Sequence, residues 1–182
     1  MTTMEPLVPP YSPEVQTRFE TVVPPGVEPL LLFRVMAKSE RAWNKLIGGS
    51  MLDPGPLTLR QREIIIDRTC ALAGCEYEWG VHVALFAKAA GLRAEEISAT
   101  IDGDPFASCW SPSESALIEA ANSLFHNGKL SSAELDNMLL YYDEEAIVEI
   151  IQLAGYYRTI SYLIHTFDLP LERFGARFDT KK

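Results

Sequence analysis

"TLRQREIIIDRTCALAGCEYEWGVHVALFAKAAG", Thr58 to Gly91, reads as two helices joined at a glycine. Thr58 and Gln61 make a T-x-x-Q capping box, in which each side chain satisfies a free amide at the helix start. The apolar run Ile64-Ile65-Ile66 carries that helix to Gly74, a natural C-cap because glycine tolerates a left-handed backbone. A second helix is expected from about Cys75 to Ala90, ended by Gly91.

The flanking sequence repeats this grammar. Ser12-Pro13 starts a short helix that Pro24-Pro25-Gly26 ends. Residues 28–47 carry Leu31, Val35, Met36, Trp43, Leu46 and Ile47 at helical spacing and read as one helix. "RAEEISATI" reads as a short amphipathic helix, and "DGDPFASCW" as loop. Ser111-Pro112-Ser113-Glu114 opens a helix to about His126, before Asn127-Gly128, and Ser131 to Glu134 is another capping box. Asp143 caps a long helix that ends before Pro170. No alternating strand pattern competes, so the fold class is all-α. The layout divides the chain into a proline-rich arm with a short helix, 1–27, and a helical domain, 28–182.

The bulk numbers narrow the function. The 182 residues suit one domain, and a hydrophobic fraction of 47% is ample for a core. A net charge of −9, with 16 scattered basic residues, argues against nucleic-acid binding. Three cysteines, Cys70, Cys75 and Cys109, do not make a secreted disulfide framework. No signal peptide and no membrane span is visible, so a cytoplasmic protein without a membrane partner is expected. The last long helix is apolar nearly all round, from Ile150 to Ile164, which predicts burial on most sides and a homo-oligomer.

The chemistry gathers on the second helix of the opening stretch. Cys75, Glu78 and His82 are three, four and seven apart, so they share a face. Cys75 sits in the first turn, where helix amides favour a thiolate. His82 can exchange a proton near neutral pH, and Glu78 can orient it or carry the proton. Glu63, on the preceding helix, is a carboxylate beside three isoleucines, with Arg62 and Arg68 as possible partners. The bland reading is an ordinary Glu78–His82 helix pair worth about 0.2–0.5 kcal/mol. Metal binding has little support, because no second His or Cys pair accompanies the three candidate ligands. His126 and His165 read as structural, and Tyr156, Tyr157 and Arg158 either line a pocket or pack the core.

Residues 57–97 resemble the core of the carboxymuconolactone decarboxylase family, which includes the alkyl hydroperoxidase D-type proteins. The carrying match is Glu63, then eleven residues, then Cys75, and His82 seven residues later. The resemblance implies an alkyl hydroperoxidase D-like helical fold assembled as a trimer or hexamer, with a pocket near subunit contacts. In its redox branch a Cys-x-x-Cys pair attacks and resolves while His and Glu relay protons. By that correspondence Cys75 is the first cysteine, Glu63 the relay acid and His82 the relay histidine. The second cysteine is replaced by Glu78, so a dithiol–disulfide cycle cannot run.

Two reactions follow from these residues. The first is cofactor-independent acid–base chemistry, a decarboxylation or related lyase or isomerase step, on a small carboxylated or lactone substrate. Glu63, Glu78 and His82 would move the proton, and Arg68, Trp79 and Tyr157 would bind substrate. The second is a thiol peroxidase working through Cys75 alone, resolved by an outside thiol. A non-catalytic ligand-binding protein is the third reading.

Overall fold

The computed structural model describes residues 5–178, and among them every regular element is a helix. In order these are α1 (Pro13–Glu20), α2 (Leu31–Met36), α3 (Glu40–Ile47), α4 (Leu59–Leu72), α5 (Glu76–Phe86), α6 (Ala94–Asp102), α7 (Pro112–Asn127), α8 (Ser132–Met138) and α9 (Glu144–Thr166). The all-α expectation holds. No helix among the described residues is long and apolar enough to cross a membrane.

The start signals act as their chemistry demands. Thr58, Ser111 and Ser131 each close a reciprocal capping box, and the Asp143 carboxylate accepts from the Ala146 amide. Helix α4 is the centre, packed against α5, α6, α7 and α9. Every residue from Glu63 to Cys70 is buried, which explains three consecutive isoleucines on a helix with no polar face to spare. Arg60 ties the surrounding helices together: its Nε donates to Glu114 at 2.6 Å, and one terminal nitrogen to Glu96 at 2.8 Å. Burial pushes the Glu96 carboxyl up, but Arg60 and Arg93 hold it down at about 2.

The single helix expected over residues 28–47 is two, α2 and α3. Ser39 is the reason: its backbone is extended and its hydroxyl accepts from the Ala42 amide, so it caps a new helix instead of continuing the old one. The N-terminal arm lies on the body. Phe19 packs edge-on against Trp43 at 5.8 Å, and Tyr11 against Phe19 at 4.9 Å. The first four residues of the arm and the last four of the helical domain lie outside the described residues.

Helix α9 is buried by its own chain along Ile147, Ile150, Leu153, Tyr157, Ile160 and Ile164. Val148, Ile151 and Tyr162, on its other side, are exposed. The expected burial on most sides is therefore not met within one chain.

After α9 the C-terminal segment turns back as a strap over α5. The Ala176 amide donates to the Gly80 carbonyl at 2.9 Å, and Phe178 packs on Trp79 at 5.0 Å. Glu172 accepts from the Tyr77 hydroxyl at 2.6 Å and from the Leu31 amide at 2.9 Å. Gly80 permits this approach, because a Cβ there would lie 2.2 Å from the Ala176 carbonyl oxygen. Gly80→Ala is predicted to detach the strap and lower stability by about 2–3 kcal/mol in urea unfolding. A loss below about 0.5 kcal/mol would mean that the strap contributes nothing.

Candidate active site

The turn between α4 and α5 builds the site. Gly74 has φ +65°, and its amide and that of Cys75 return to the carbonyls of Ala71 and Cys70, both at 2.9 Å. This is a Schellman motif, and it makes Cys75 the last residue of one helix ending and the N-cap of the next. The same pattern at Gly91, with Leu92 bonded to the Ala87 carbonyl at 2.9 Å, carries the chain beyond α5. The two helices then face one another across a buried polar layer. Glu63, Asp67 and Cys70 share one face of α4, and Cys75, Glu78 and His82 share one face of α5.

His82 is at the centre of that layer. Its Nδ1 lies 2.9 Å from a Glu63 oxygen, and its Nε2 lies 3.6 Å from a Glu78 oxygen. Burial pushes the imidazole down, but hydrogen bonding and charge from the two carboxylates outweigh it and raise His82 to about 10. The protonated ring is thus favoured, with Nδ1 donating to Glu63 and Nε2 within ion-pair range of Glu78 but beyond hydrogen-bond distance. Tyr157 from α9 stands edge-on to the ring at 4.9 Å, and Phe86 lies 5.2 Å away. The side chain of Glu63 is 1% exposed and that of Glu78 8%, so Glu78 is the outer member.

Several polar atoms here have no partner among the described residues: one oxygen of Glu63, one of Glu78 and both of Asp67. Asp67 is fully buried, and burial, followed by the charge of Glu63, raises its carboxyl well above the ordinary range. Burial thus favours the protonated form of Asp67 beside Glu63 and His82. Sequence reasoning missed Asp67, although its place four residues after Glu63 puts it on the same face.

The cysteines are arranged differently from the expectation. Cys75 is completely buried, and burial pushes its thiol up. The Glu78 amide and the Ser161 hydroxyl favour the thiolate, but they do not overcome the burial. Cys70 is also fully buried, and its thiol is pushed well above the ordinary value by burial and then by the charge of Glu78. The helix N-terminus at Cys75 does not produce a resting thiolate. Ser161, on distant α9, left no local signal in the sequence.

Two expected substrate contacts are occupied elsewhere. Arg68 donates from Nε to Asn122 at 2.7 Å and from one terminal nitrogen to the Thr100 and Ile101 carbonyls at 3.0 and 2.8 Å. It staples α4 to the end of α6 and to α7, because it lies on a different face of α4 from Glu63. Trp79 is buried, with its indole donating to the Thr100 hydroxyl at 3.0 Å. Arg62, the alternative carboxylate grip, donates to the Met51 and Asp53 carbonyls at 3.2 and 2.6 Å. Tyr157 alone of the three expected contacts reaches His82.

Residues 37–123, which include Glu63, Asp67, Cys75, Glu78 and His82, match the carboxymuconolactone decarboxylase family. None of the curated proteins matches the chain by sequence. Among solved structures, a variant of the debrominase Bmp8 in complex with 2,3,4-tribromopyrrole is 19% identical with TM-score 0.76, over 96% of this chain and 94% of that one. An uncharacterised peroxidase-related protein from Silicibacter sp. TM1040 has TM-score 0.79 at 16% identity, over 95% and 93%. A peroxidase-related protein with an alkylhydroperoxidase AhpD core, from Ralstonia eutropha JMP134, has TM-score 0.72 at 15% identity, over 88% and 86%. At these identities the likeness is one of fold, and the helical layout matches across nearly the whole chain. The central helices, residues 37–123, thus match the carboxymuconolactone decarboxylase family, and the chain as a whole has the helical fold of its alkylhydroperoxidase D-like neighbours.

Proposed function

We propose that the protein is a cofactor-independent acid–base enzyme acting on a small lactone or β-keto acid. The observation that carries this reading is His82, buried 2.9 Å from one Glu63 oxygen and 3.6 Å from one Glu78 oxygen, which raise it to about 10, beside Cys75, whose thiol is pushed up by burial. In a decarboxylation the carbon–carboxylate bond breaks, carbon dioxide leaves, and the electron pair remains as an enolate. The imidazolium stabilises that enolate oxygen, and a proton reaches the carbon through Glu78, the outer member of the relay. Glu63 holds the ring in place and keeps it basic, so that it is recharged from solvent after each turnover. With Arg62 and Arg68 committed to carbonyls, the imidazolium is the cation that meets the substrate. Exposed Val148 and Leu140 support assembly as a homo-oligomer, a trimer or hexamer, which sedimentation would measure directly.

The thiol reading keeps one specific support: hydrogen bonds from Ser161 and the Glu78 amide that would stabilise a Cys75 thiolate once formed. A single experiment separates the two. A panel of lactones and β-keto acids is followed by proton NMR, in parallel with peroxide consumption using a small-thiol reductant. The acid–base reading expects turnover in the first assay that survives Cys75→Ser. Peroxide turnover that vanishes in Cys75→Ser would replace it with a peroxidase.

A further inference from the structure

A cavity of about 350 Å³ opens between α4, α7 and α9, away from the acid–base layer. Most of its α9 lining, Ile151, Gly155, Arg158 and Tyr162, lies on a different face of that helix from Tyr157, which contacts His82. Its α4 lining is Thr69, on a different face from Glu63. The size falls in the range of small-molecule sites.

Three features make this a built site. Arg158 stands over the Phe125 ring with its guanidinium carbon 3.6 Å from the centroid, and its Nε donates to the Tyr162 hydroxyl at 2.8 Å. The stacking fixes the plane of the guanidinium, and the Nε contact leaves its two terminal nitrogens as a fork. Among the described residues no carboxylate pairs with it. In the lining, Thr69 is 3% exposed and its buried hydroxyl has no partner among the described residues. Gly155 sits in the interior of α9, where glycine costs about 1 kcal/mol relative to alanine. A Cβ there would meet nothing within 4 Å, so no packing contact requires the glycine.

We propose that this cavity binds a small aromatic carboxylate. The carboxylate takes the terminal nitrogens of Arg158 in a bidentate pair, and the ring lies among Leu124, Phe125 and Ile151. A substituent at the far end reaches the Thr69 hydroxyl. The chain carries a net charge of −9, so its long-range field repels anions and binding must come from this local fork. The site is independent of the reaction proposed for His82.

Benzoate is the probe, titrated calorimetrically into the intact protein at low salt. Wild type is expected to bind it with a Kd on the order of 1 mM or tighter. Neutral benzamide and the Arg158→Gln variant are expected to bind at least about tenfold more weakly. Gly155→Leu, which fills the open space and favours the helix, is expected to abolish binding with circular dichroism unchanged. His82→Gln is expected to bind benzoate within about twofold of wild type. Absence of saturable binding to wild type would overturn the proposal. So would binding that survives Arg158→Gln and Gly155→Leu but is lost in His82→Gln, which would send the anion to the acid–base layer.

Discussion

His82→Gln is expected to lower turnover of the substrate found in the lactone and β-keto acid panel by about 10³-fold, and Cys75→Ser by less than about threefold. Glutamine keeps the size and a hydrogen-bonding end but can carry neither the charge nor the proton. Glu78→Gln is expected to approach the same loss, because it removes the outer carrier while leaving the shape. Glu63→Gln is expected to leave a partly active enzyme whose acidic form is lost at lower pH, since Glu63 acts through the ring. His82→Gln leaves Glu63 and Glu78 facing each other without a cation, so folding is checked by circular dichroism before the rate is read. Near-wild-type turnover in both His82→Gln and Glu78→Gln would remove the acid–base layer from the mechanism.

Folding stability is expected to fall as pH rises from about 6.5 to 10, by a few kcal/mol in total, with His82 as the source. The sign follows from proton binding. His82 is held at about 10 in the folded protein, against about 6.5 in an unfolded chain. Between those values the folded state binds more protons than the unfolded state. The stabilisation is therefore complete below about pH 6.5 and gone above about pH 10. Asp67 acts in the same direction at lower pH: its raised carboxyl keeps a proton that an unfolded aspartic acid releases above about pH 4. Urea midpoints from pH 5 to 10 test both. The wild-type midpoint should decline, His82→Gln should lose the decline above neutrality, and Asp67→Asn should flatten its acidic part. A wild-type midpoint that holds level or rises between pH 7 and 9.5 would show that His82 is neutral in the folded protein.

Much of the architecture was legible because it is written locally. Thr58 with Gln61, Ser111 with Glu114 and Ser131 with Glu134 are each closed within one helical turn, and each forms as the spacing requires. Gly74 and Gly91 mark positions where the backbone must go left-handed. The break at Ser39 went unread because apolar spacing on either side of it is continuous, and only the capping hydroxyl interrupts the helix. The pairing of Cys75, Glu78 and His82 on one face was likewise a matter of helical period.

What the linear chain determined, then, was its helices, their ends and the residues that share a face. Whether those faces meet, and in what electrostatic setting, was decided by packing. The chain alone set a helix start against a neighbouring carboxylate at Cys75, and burial beneath the folded chain pushed that thiol up. It offered Arg68 to a substrate, and the end of α6 and Asn122 of α7 took its donors first. It showed Glu63 and His82 nineteen residues apart, and the turn at Gly74 brought them to 2.9 Å. The physical reason is common to all three. Capping and periodicity depend on neighbours within a turn, whereas desolvation and ion pairing depend on residues that only the folded chain brings together.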